Sequence, residues 1–193
     1  KRDGTKEPVS LDKITNRVSV LSTGLAIDPI VVAQKAIPGL YNDITSTEID
    51  NYLAETAAAL TVEHPDYSNL AARIKSNALH KETPGFIIAT KNLYEDGLLK
   101  KDYYKKVMAN ADEIESIIDY DRDYSFDYFA LTTLIRAYLL KFENKTIERP
   151  QDLWMRVALT VSCEEFNLNK LKKTYDSLSS GLYTHATPTL FNS

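Results

Sequence analysis

The chain opens with the stretch Lys1-Arg2-Asp3-Gly4-Thr5-Lys6-Glu7-Pro8-Val9-Ser10-Leu11-Asp12-Lys13-Ile14. This stretch carries four cations in thirteen residues, an Asp-Gly pair typical of a tight turn, and the start of an amphipathic helix. Glycine accepts the positive φ that such turns need, so two short extended arms joined at Asp3-Gly4 are predicted to form a hairpin. The hairpin would hold Lys1, Arg2 and Lys13 together beside the start of that helix.

The grouping of cations with a helix start favours an anionic ligand. N–H groups at a helix N-terminus already attract an anion, and fixed cations nearby strengthen the preference for phosphate. The hypothesis is therefore a site for a nucleotide polyphosphate. The alternative is a solvated hairpin edge whose basic residues bind nothing, and these residues alone leave it open.

Composition restricts the class of protein and the size of the ligand. The 193 residues are 44% apolar, enough for one large or two small cores. A net charge of −4 argues against broad nucleic-acid binding, so a phosphate ligand should be small. The single cysteine, Cys163, excludes a disulfide framework within the chain and a cysteine-based zinc ribbon, and it indicates a reducing, cytoplasmic setting. Neither a membrane span nor a signal peptide is predicted.

Local capping signals predict four helices in the first part of the chain. Each signal pairs a capping side chain, or a proline that fits the first turn, with apolar residues at helical spacing. The helix starts are Ser10 or Asp12, Asp28-Pro29, Thr45 with Glu48, and Pro65-Asp66. Thr83-Pro84-Gly85 then interrupts the pattern and is the predicted boundary.

The remainder is predicted to be helical, with short strands over residues 138–142, 146–148 and 182–185. Asp121-Arg122-Asp123 suggests either a catalytic carboxylate cluster or an ion-paired loop, and the loop is favoured because no partner acid is evident. Cys163 follows apolar residues at helical spacing, which favours a buried structural thiol.

Eight local strings, in order along nearly the whole chain, resemble the large subunit of class I ribonucleotide reductase of the eukaryotic and viral type. The strings are Lys1-Arg2-Asp3-Gly4, Asp12-Lys13-Ile14-Thr15, Ala54-Glu55-Thr56-Ala57-Ala58, His64-Pro65-Asp66-Tyr67, Leu79-His80-Lys81-Glu82-Thr83, Tyr120-Asp121-Arg122-Asp123, Glu148-Arg149-Pro150-Gln151 and Thr184-His185-Ala186-Thr187-Pro188-Thr189-Leu190-Phe191-Asn192.

The resemblance implies a mostly α fold in two parts. Residues 1–88 would be an ATP cone, a small β-hairpin plus four helices, where ATP switches the enzyme on and dATP switches it off. Residues 89–193 would be the helical region of the catalytic domain, ending at the first strand of a ten-stranded α/β barrel that is itself absent. The chain would be part of ribonucleoside-diphosphate reductase, without the catalytic cysteines and inactive alone.

The family's nucleotide contacts map onto twelve residues: Lys1, Arg2, Glu7, Pro8, Val9, Ser10, Leu11, Asp12, Lys13, Ser46, Asp50 and Lys81. The basic members suit a triphosphate, and Asp50 can accept a hydrogen bond from an adenine amino group or a ribose hydroxyl. Ser46 stands where the family has threonine and keeps the hydroxyl. The loop that contacts the substrate nucleotide in the family maps to Thr187.

The resemblance also implies ligands and partners. The effector would be ATP or dATP, with Mg²⁺ accompanying it and no protein-bound metal. The partners would be the rest of the large subunit, a large-subunit oligomer and the radical-generating small subunit, with neither nucleic acid nor membrane. The alternative is a degenerate ATP cone that serves as a non-catalytic helical interaction or assembly module. The retained basic residues and Asp50 argue against it.

Overall fold

The structure is a computed structural model that describes residues 1–162 and 166–193. Over these residues the chain is mostly helical and divides into two compact units. The first unit contains Lys1–Leu79 and Tyr124–Thr132, and the second contains His80–Asp123 and Thr133–Ser193. The expectation of a buried thiol at Cys163 lies outside the described residues.

The capping signals in the first part of the chain mark real helix starts. The helices are α1 (Leu11–Leu21), α2 (Pro29–Ala36), α3 (Ser46–Ala59) and α4 (Asp66–Glu82). Ser10 accepts a hydrogen bond from the backbone N–H of Lys13, and Asp28 accepts one from Ile30. Thr45 and Glu48 cap each other reciprocally. All four predicted helices are thus confirmed.

These helices share one apolar core in the first unit. The core is built from one face of each helix and includes Ile14, Val18, Val32, Ala36, Leu53, Ala54, Ala57, Leu70 and Ile74. The small side chains of Ala54 and Ala57, both fully buried, let neighbouring helices approach closely. Burial of these faces fixes the rotation of α1 and α3, and therefore where their polar residues lie.

From Phe86 onward the structure continues with α5 (Phe86–Glu95), α6 (Lys101–Ala109), α7 (Ala111–Ile117), α8 (Tyr128–Thr133), α9 (Pro150–Ser162), α10 (Leu168–Ser179) and α11 (Thr187–Asn192). A turn of π-helix spans Leu134–Tyr138. The strands β1 (Lys141–Phe142) and β2 (Lys145–Thr146) pair antiparallel, with Lys141 opposite Thr146. This strand pair confirms the predicted strand, turn and strand, although both strands are shorter than expected.

Helices α9 and α10 pack against each other at the centre of the second unit. Their contact buries Leu153, Met155, Leu171 and Tyr175 completely. The hydroxyl of Tyr175 donates to the side-chain oxygen of Gln151 at 2.8 Å, so the polar atom enters the core with its hydrogen bond made. The core of this unit is therefore held by helix packing with polar contacts inside it.

The N-terminal hairpin is not formed. The turn is present, because Gly4 has φ +81° and its N–H donates to the carbonyl of Lys1 at 3.1 Å, but residues 1–10 contain no strand. The N–H and the hydroxyl of Thr5 both donate to the side chain of Asp3, and Pro8 has no N–H to donate, so the segment after the turn does not pair as a strand. The small β-hairpin expected at this end is thus reduced to a turn.

The expected first barrel strand is also absent. Residues 183–186 are irregular, and Thr187 begins helix α11 instead of lying in a loop. A strand needs a neighbour to bond its backbone groups, whereas Ala186 in extended geometry and Pro188 in the first turn favour a helix start. Helices α7 and α11 were not predicted, and the barrel itself stays an expectation.

Candidate functional site

Two arginines hold one buried carboxylate in the first unit. Asp50 lies on α3 and is 1% exposed. Its Oδ2 accepts a hydrogen bond from Nη2 of Arg2 at 2.7 Å, and its Oδ1 accepts one from Nη1 of Arg17. Buried charges persist only when they are paired and hydrogen-bonded, as this carboxylate is on both oxygens. The contact links the N-terminal turn, α1 and α3.

Arg17 is anchored a second time. Its Nη2 donates to Oδ1 of Asn77 on α4 at 2.8 Å, and the amide nitrogen of Asn77 lies 3.4 Å from the hydroxyl of Tyr124. Burial, with a smaller contribution from the positive charge of Arg2, lowers the pKa of Arg17 from its ordinary value. The guanidinium is therefore fixed between α3 and α4.

Two of the three lysines of the opening stretch converge on Glu7. Nζ of Lys1 lies 2.8 Å from Oε2 of Glu7, and Nζ of Lys13 lies 3.5 Å from the same oxygen. The hydrogen bond from Lys1 lowers the pKa of Glu7, and the same contact raises the pKa of Lys1. These side chains are largely exposed, so the pairs exchange easily with a stronger anion.

The start of α1 completes this side of the cluster. Ser10 caps the helix by accepting from the N–H of Lys13, and the N–H groups of Leu11 and Asp12 in the same turn have no acceptor within the helix. Val9 and Leu11 are 46% and 45% exposed. An apolar surface next to a group of cations suits a ligand with a flat ring at one end and phosphates at the other.

Helix α3 supplies the hydroxyl and the carboxylate. Ser46 is its first residue and Asp50 lies four positions later, a spacing that places both on one face. The capping box below them is tight, since Glu48 accepts from the backbone N–H and the hydroxyl of Thr45 at 2.8 and 2.7 Å. Those hydrogen bonds lower the pKa of Glu48. The start of the helix is therefore fixed where a ligand would meet it.

Lys81 belongs to a different unit from the other predicted nucleotide contacts. It lies in the last turn of α4, beyond the end of the first unit at Leu79. Its role as a phosphate ligand stays a prediction.

Thr187, predicted to contact the substrate, begins α11 in the second unit. Its hydroxyl lies 3.2 Å from the hydroxyl of Tyr138, and the ring of Tyr138 stacks on Phe191 with centroids 5.2 Å apart. Tyr138 is the last residue of the π-helical turn, and such turns often occur at functional sites. The substrate role of Thr187 stays a prediction.

The charged string around Arg122 is ion-paired. Arg122 contacts Asp119 at 3.1 Å and Asp176 at 3.0 Å, and Asp123 is bound to Nε2 of His80 at 2.7 Å. Burial raises the pKa of Asp123, against the opposing effect of His80. The interpretation as an ion-paired loop is consistent with this geometry, and the partners come from outside the string.

Polar residues of the string Glu148-Arg149-Pro150-Gln151 and the following Asp152 form a buried network in the second unit. Asp152 accepts from the hydroxyl of Tyr120 at 2.7 Å and from the N–H of Arg149 at 2.9 Å. Burial raises the pKa of Asp152 to about 7. Glu148 pairs with Arg156 at 2.7 Å, with both side chains 5% exposed. These contacts hold the start of α9 in place.

Two features are absent from residues 1–162 and 166–193. Within those ranges no group of three or more His, Cys, Asp and Glu side chains is placed to hold a metal ion. Nor do the helices that the structure describes include one that is long and apolar enough to span a membrane.

Arg17 and Asn77 were missed by sequence reasoning. The available signal was spacing, because Arg17 lies four residues after Lys13 and so shares its face of α1. A basic residue at that spacing is usually a solvated helix face, and only the fold brings it to Asp50 on α3. Asn77 gave no signal in the sequence, since its contact with Arg17 spans 60 residues.

Comparison with known proteins matches two parts of the chain to two family models. The family model described as the ATP cone domain matches residues 1–82, and the one described as the ribonucleotide reductase all-alpha domain matches residues 124–193. The ribonucleoside-diphosphate reductase large subunit of Dictyostelium discoideum is 45% identical over 208 residues, which cover 100% of this chain and 24% of that protein.

Further relatives have the same name. The large subunit of Caenorhabditis elegans is 44% identical over 206 residues, covering 100% of this chain and 26% of that protein. The large subunit of Variola virus is 43% identical over 205 residues, with 100% and 26% covered. The chain thus spans about a quarter of the length of the curated relatives it matches.

Proposed function

The chain belongs to the ribonucleotide reductase large-subunit family, and we propose that its first unit is an effector domain that binds ATP or dATP. The observation that carries this proposal is the convergence of Lys1, Arg2 and Lys13 beside the start of α1 and the buried carboxylate of Asp50. The cations would bind the phosphates of a nucleoside triphosphate, and the carboxylate would accept hydrogen bonds from its sugar or base.

The phosphates would replace protein carboxylates as partners of the cations. Lys1 and Lys13 each pair with Glu7 on the surface, where ion pairs contribute little, so a triphosphate with several charges competes well for them. First-turn N–H groups of α1 add donors that favour an anion. We expect Mg²⁺ to arrive bound to the phosphates, as it commonly does at nucleotide sites.

The sugar end would be recognised at α3. Ser46 and Asp50 offer a hydroxyl and a carboxylate on one face, and a carboxylate accepts hydrogen bonds from ribose hydroxyls or an adenine amino group. ATP and dATP differ only by the 2′-hydroxyl, so a group near the ribose must distinguish them. If ATP and dATP prefer different states of the cone, each nucleotide shifts the population toward the state that it binds more tightly. That shift would regulate the enzyme.

The second unit would contribute to the catalytic part of the enzyme. We propose that Thr187 contacts the substrate nucleotide once the remaining three-quarters of a large subunit, including the barrel, are present. We also propose that the complete large subunit reduces ribonucleoside diphosphates. It would assemble into a large-subunit oligomer and pair with a radical-generating small subunit. This chain alone is expected to show no reductase activity.

Calorimetric titration of the 193-residue chain with ATP and with dATP tests the effector proposal. Both nucleotides should bind in the presence of Mg²⁺, and Arg2→Gln should weaken both, while the matched variant Lys6→Gln should not. Circular dichroism confirms that each protein is folded. A folded chain that binds neither nucleotide would refute the proposal.

An assembly module that no longer binds nucleotide is the second candidate function. Its surface would include exposed apolar side chains of the first unit, among them Val20 at 63% and Val62 at 92%. Such residues often mark an interaction surface when they are contiguous. Sedimentation velocity distinguishes the two: this candidate predicts concentration-dependent association that ATP and dATP leave unchanged.

A further inference from the structure

We propose that Arg17 is the positioning residue of this site: it keeps the Asp50 carboxylate charged and in place while Arg2 transfers from Asp50 to the phosphates of the bound nucleotide. The inference rests on the proposed function and specifies how that site is regulated. It assigns different roles to two arginines that reach the same carboxylate.

The two arginines differ in the backbone that carries them and not in burial. Their side chains are 28% exposed for Arg2 and 25% exposed for Arg17. Arg17 lies within α1, whose neighbours Ile14 and Val18 are in the core, and its guanidinium bonds both Asp50 and Asn77. Arg2 lies in a turn ahead of the first helix, in a segment with no regular secondary structure. Arg2 is carried by a turn and Arg17 by a packed helix, so a change of partner at Arg2 disturbs the core less than one at Arg17.

The carboxylate cannot lose both partners without changing its own state. The side chain of Asp50 is 0% exposed, and a buried carboxylate without a counterion takes up a proton instead of remaining charged. If Arg17 stays on Oδ1, the departure of Arg2 leaves Oδ2 as a charged acceptor next to the bound ligand. Arg17 thus determines whether Asp50 meets the nucleotide as a carboxylate or as a neutral acid.

Few charged groups among the described contacts face this carboxylate. Arg2 reaches it from the N-terminal turn and Arg17 reaches it from α1. From α4 the neighbour of Arg17 is the neutral amide of Asn77, and beyond that lies the hydroxyl of Tyr124. Asp50 is the carboxylate in these contacts, and replacing it in the Arg17 variant tests whether it binds the extra proton.

The test counts the protons that accompany nucleotide binding. ATP is titrated into the 193-residue chain in two buffers of different ionisation enthalpy, for the unaltered protein and for Arg17→Met. The variant should take up as much as one more proton per ATP than the unaltered chain. Its affinity should fall by as much as tenfold per pH unit, relative to the unaltered chain, as the pH rises above neutrality.

Two further variants isolate the cause. Arg17→Lys restores the charge and should return proton uptake toward that of the unaltered chain. The double variant Arg17→Met with Asp50→Asn removes the group that titrates and should abolish the extra uptake. Should Arg17→Met fail to fold, Asn77→Leu removes the second anchor of Arg17 and should produce a smaller change in the same direction.

The outcomes separate this inference from the proposed function. If the unaltered chain binds no nucleotide, the effector proposal fails. If the unaltered chain binds ATP and the folded variants bind it with unchanged proton uptake and unchanged pH dependence, the effector site stands and the positioning role of Arg17 is overturned. A purely structural role would lower only thermal stability and overall affinity.

Discussion

The guanidinium of Arg2 lies 2.7 Å from the carboxylate of Asp50, a residue 48 positions later in the chain. This contact joins the turn at Gly4 to helix α3 across the predicted effector site. Arg17 occupies the other oxygen of the same carboxylate. The guanidinium of Arg2, which is expected to bind phosphate, therefore already has a partner inside the protein. Binding of the ligand must replace that partner.

Replacement of Lys13 by alanine should weaken ATP and dATP alike. Loss of a charge-assisted hydrogen bond to a phosphate costs roughly 1–3 kcal/mol of binding free energy. Calorimetric titration measures the change, and Lys6→Ala is the matched control, because Lys6 lies in the same segment and pairs with Asp43. Equal affinity of Lys13→Ala and the unaltered chain would remove Lys13 from the site.

Replacement of Asp50 by asparagine should destabilise the first unit. Removing one partner of a buried ion pair leaves the other charge uncompensated, which costs about 3–5 kcal/mol when all partners are buried. The side chains of Arg2 and Arg17 are about one quarter exposed, so solvent partly compensates their charges. We therefore expect Asp50→Asn to lower the free energy of unfolding, measured with urea, by about 2–3 kcal/mol. The isosteric change Glu63→Gln removes an exposed partner of Lys35 and should leave stability unchanged. Equal stabilities of the two variants would show that the ion pairs of Asp50 with Arg2 and Arg17 do not stabilise the first unit.

Replacement of Glu148 by glutamine should destabilise the second unit and release the end of α11. Arg156 donates to both oxygens of Glu148 and also to the carbonyls of Leu190 and Ser193. Loss of the buried carboxylate should cost about 3 kcal/mol of unfolding free energy. Amide hydrogen exchange over Thr187–Asn192 should accelerate. The exposed Glu115→Gln is the control, and unchanged exchange in Glu148→Gln would show that Arg156 does not depend on its pair.

The raised pKa of Asp152 should make the stability of the protein depend on pH. Its pKa in the folded protein is about 7, above the ordinary 3.8, so the folded state retains a proton that the unfolded state releases. The stability contributed by that proton is complete below about pH 4 and is lost as pH rises through 7, by as much as about 1.4 kcal/mol per pH unit. Asp152→Asn should remove this loss.

Urea unfolding at several pH values between 4 and 8 measures the effect. The difference in unfolding free energy between Asp152→Asn and the unaltered chain should move in favour of the variant as pH rises. Asp123 also has a raised pKa, so some pH dependence should remain in the variant. A difference that does not vary with pH would show that Asp152 is ionised in the folded protein.

Helices of the first unit were predictable because their determinants are local. The cap at Ser10, the proline after Asp28 and the reciprocal pair of Thr45 and Glu48 act within one turn of each helix, so sequence alone locates them. The turn at Gly4 was predictable for the same reason. The strands expected beside it were not formed, since strand pairing depends on a partner segment and not on the turn alone.

The site was predictable only in part. The resemblance indicated Arg2 and Asp50 as separate ligands of a nucleotide, but their mutual contact is long-range and depends on how α3 packs. Arg17 and Asn77 meet through the fold alone, at a separation of 60 residues. In the second unit, Thr187 lies in a helix because no neighbouring strand in the described residues pairs with residues 182–185.

The most direct test of the central claim is an amide and arginine side-chain NMR titration of the 193-residue chain with ATP in the presence of Mg²⁺. We expect the largest shifts on residues 1–13, on Ser46 and Asp50, and on the guanidinium of Arg2 as it leaves the carboxylate. The guanidinium of Arg17 should shift less than that of Arg2. Shifts confined to other parts of the chain, or none at saturating ATP, would contradict the assignment of this cluster as the effector site.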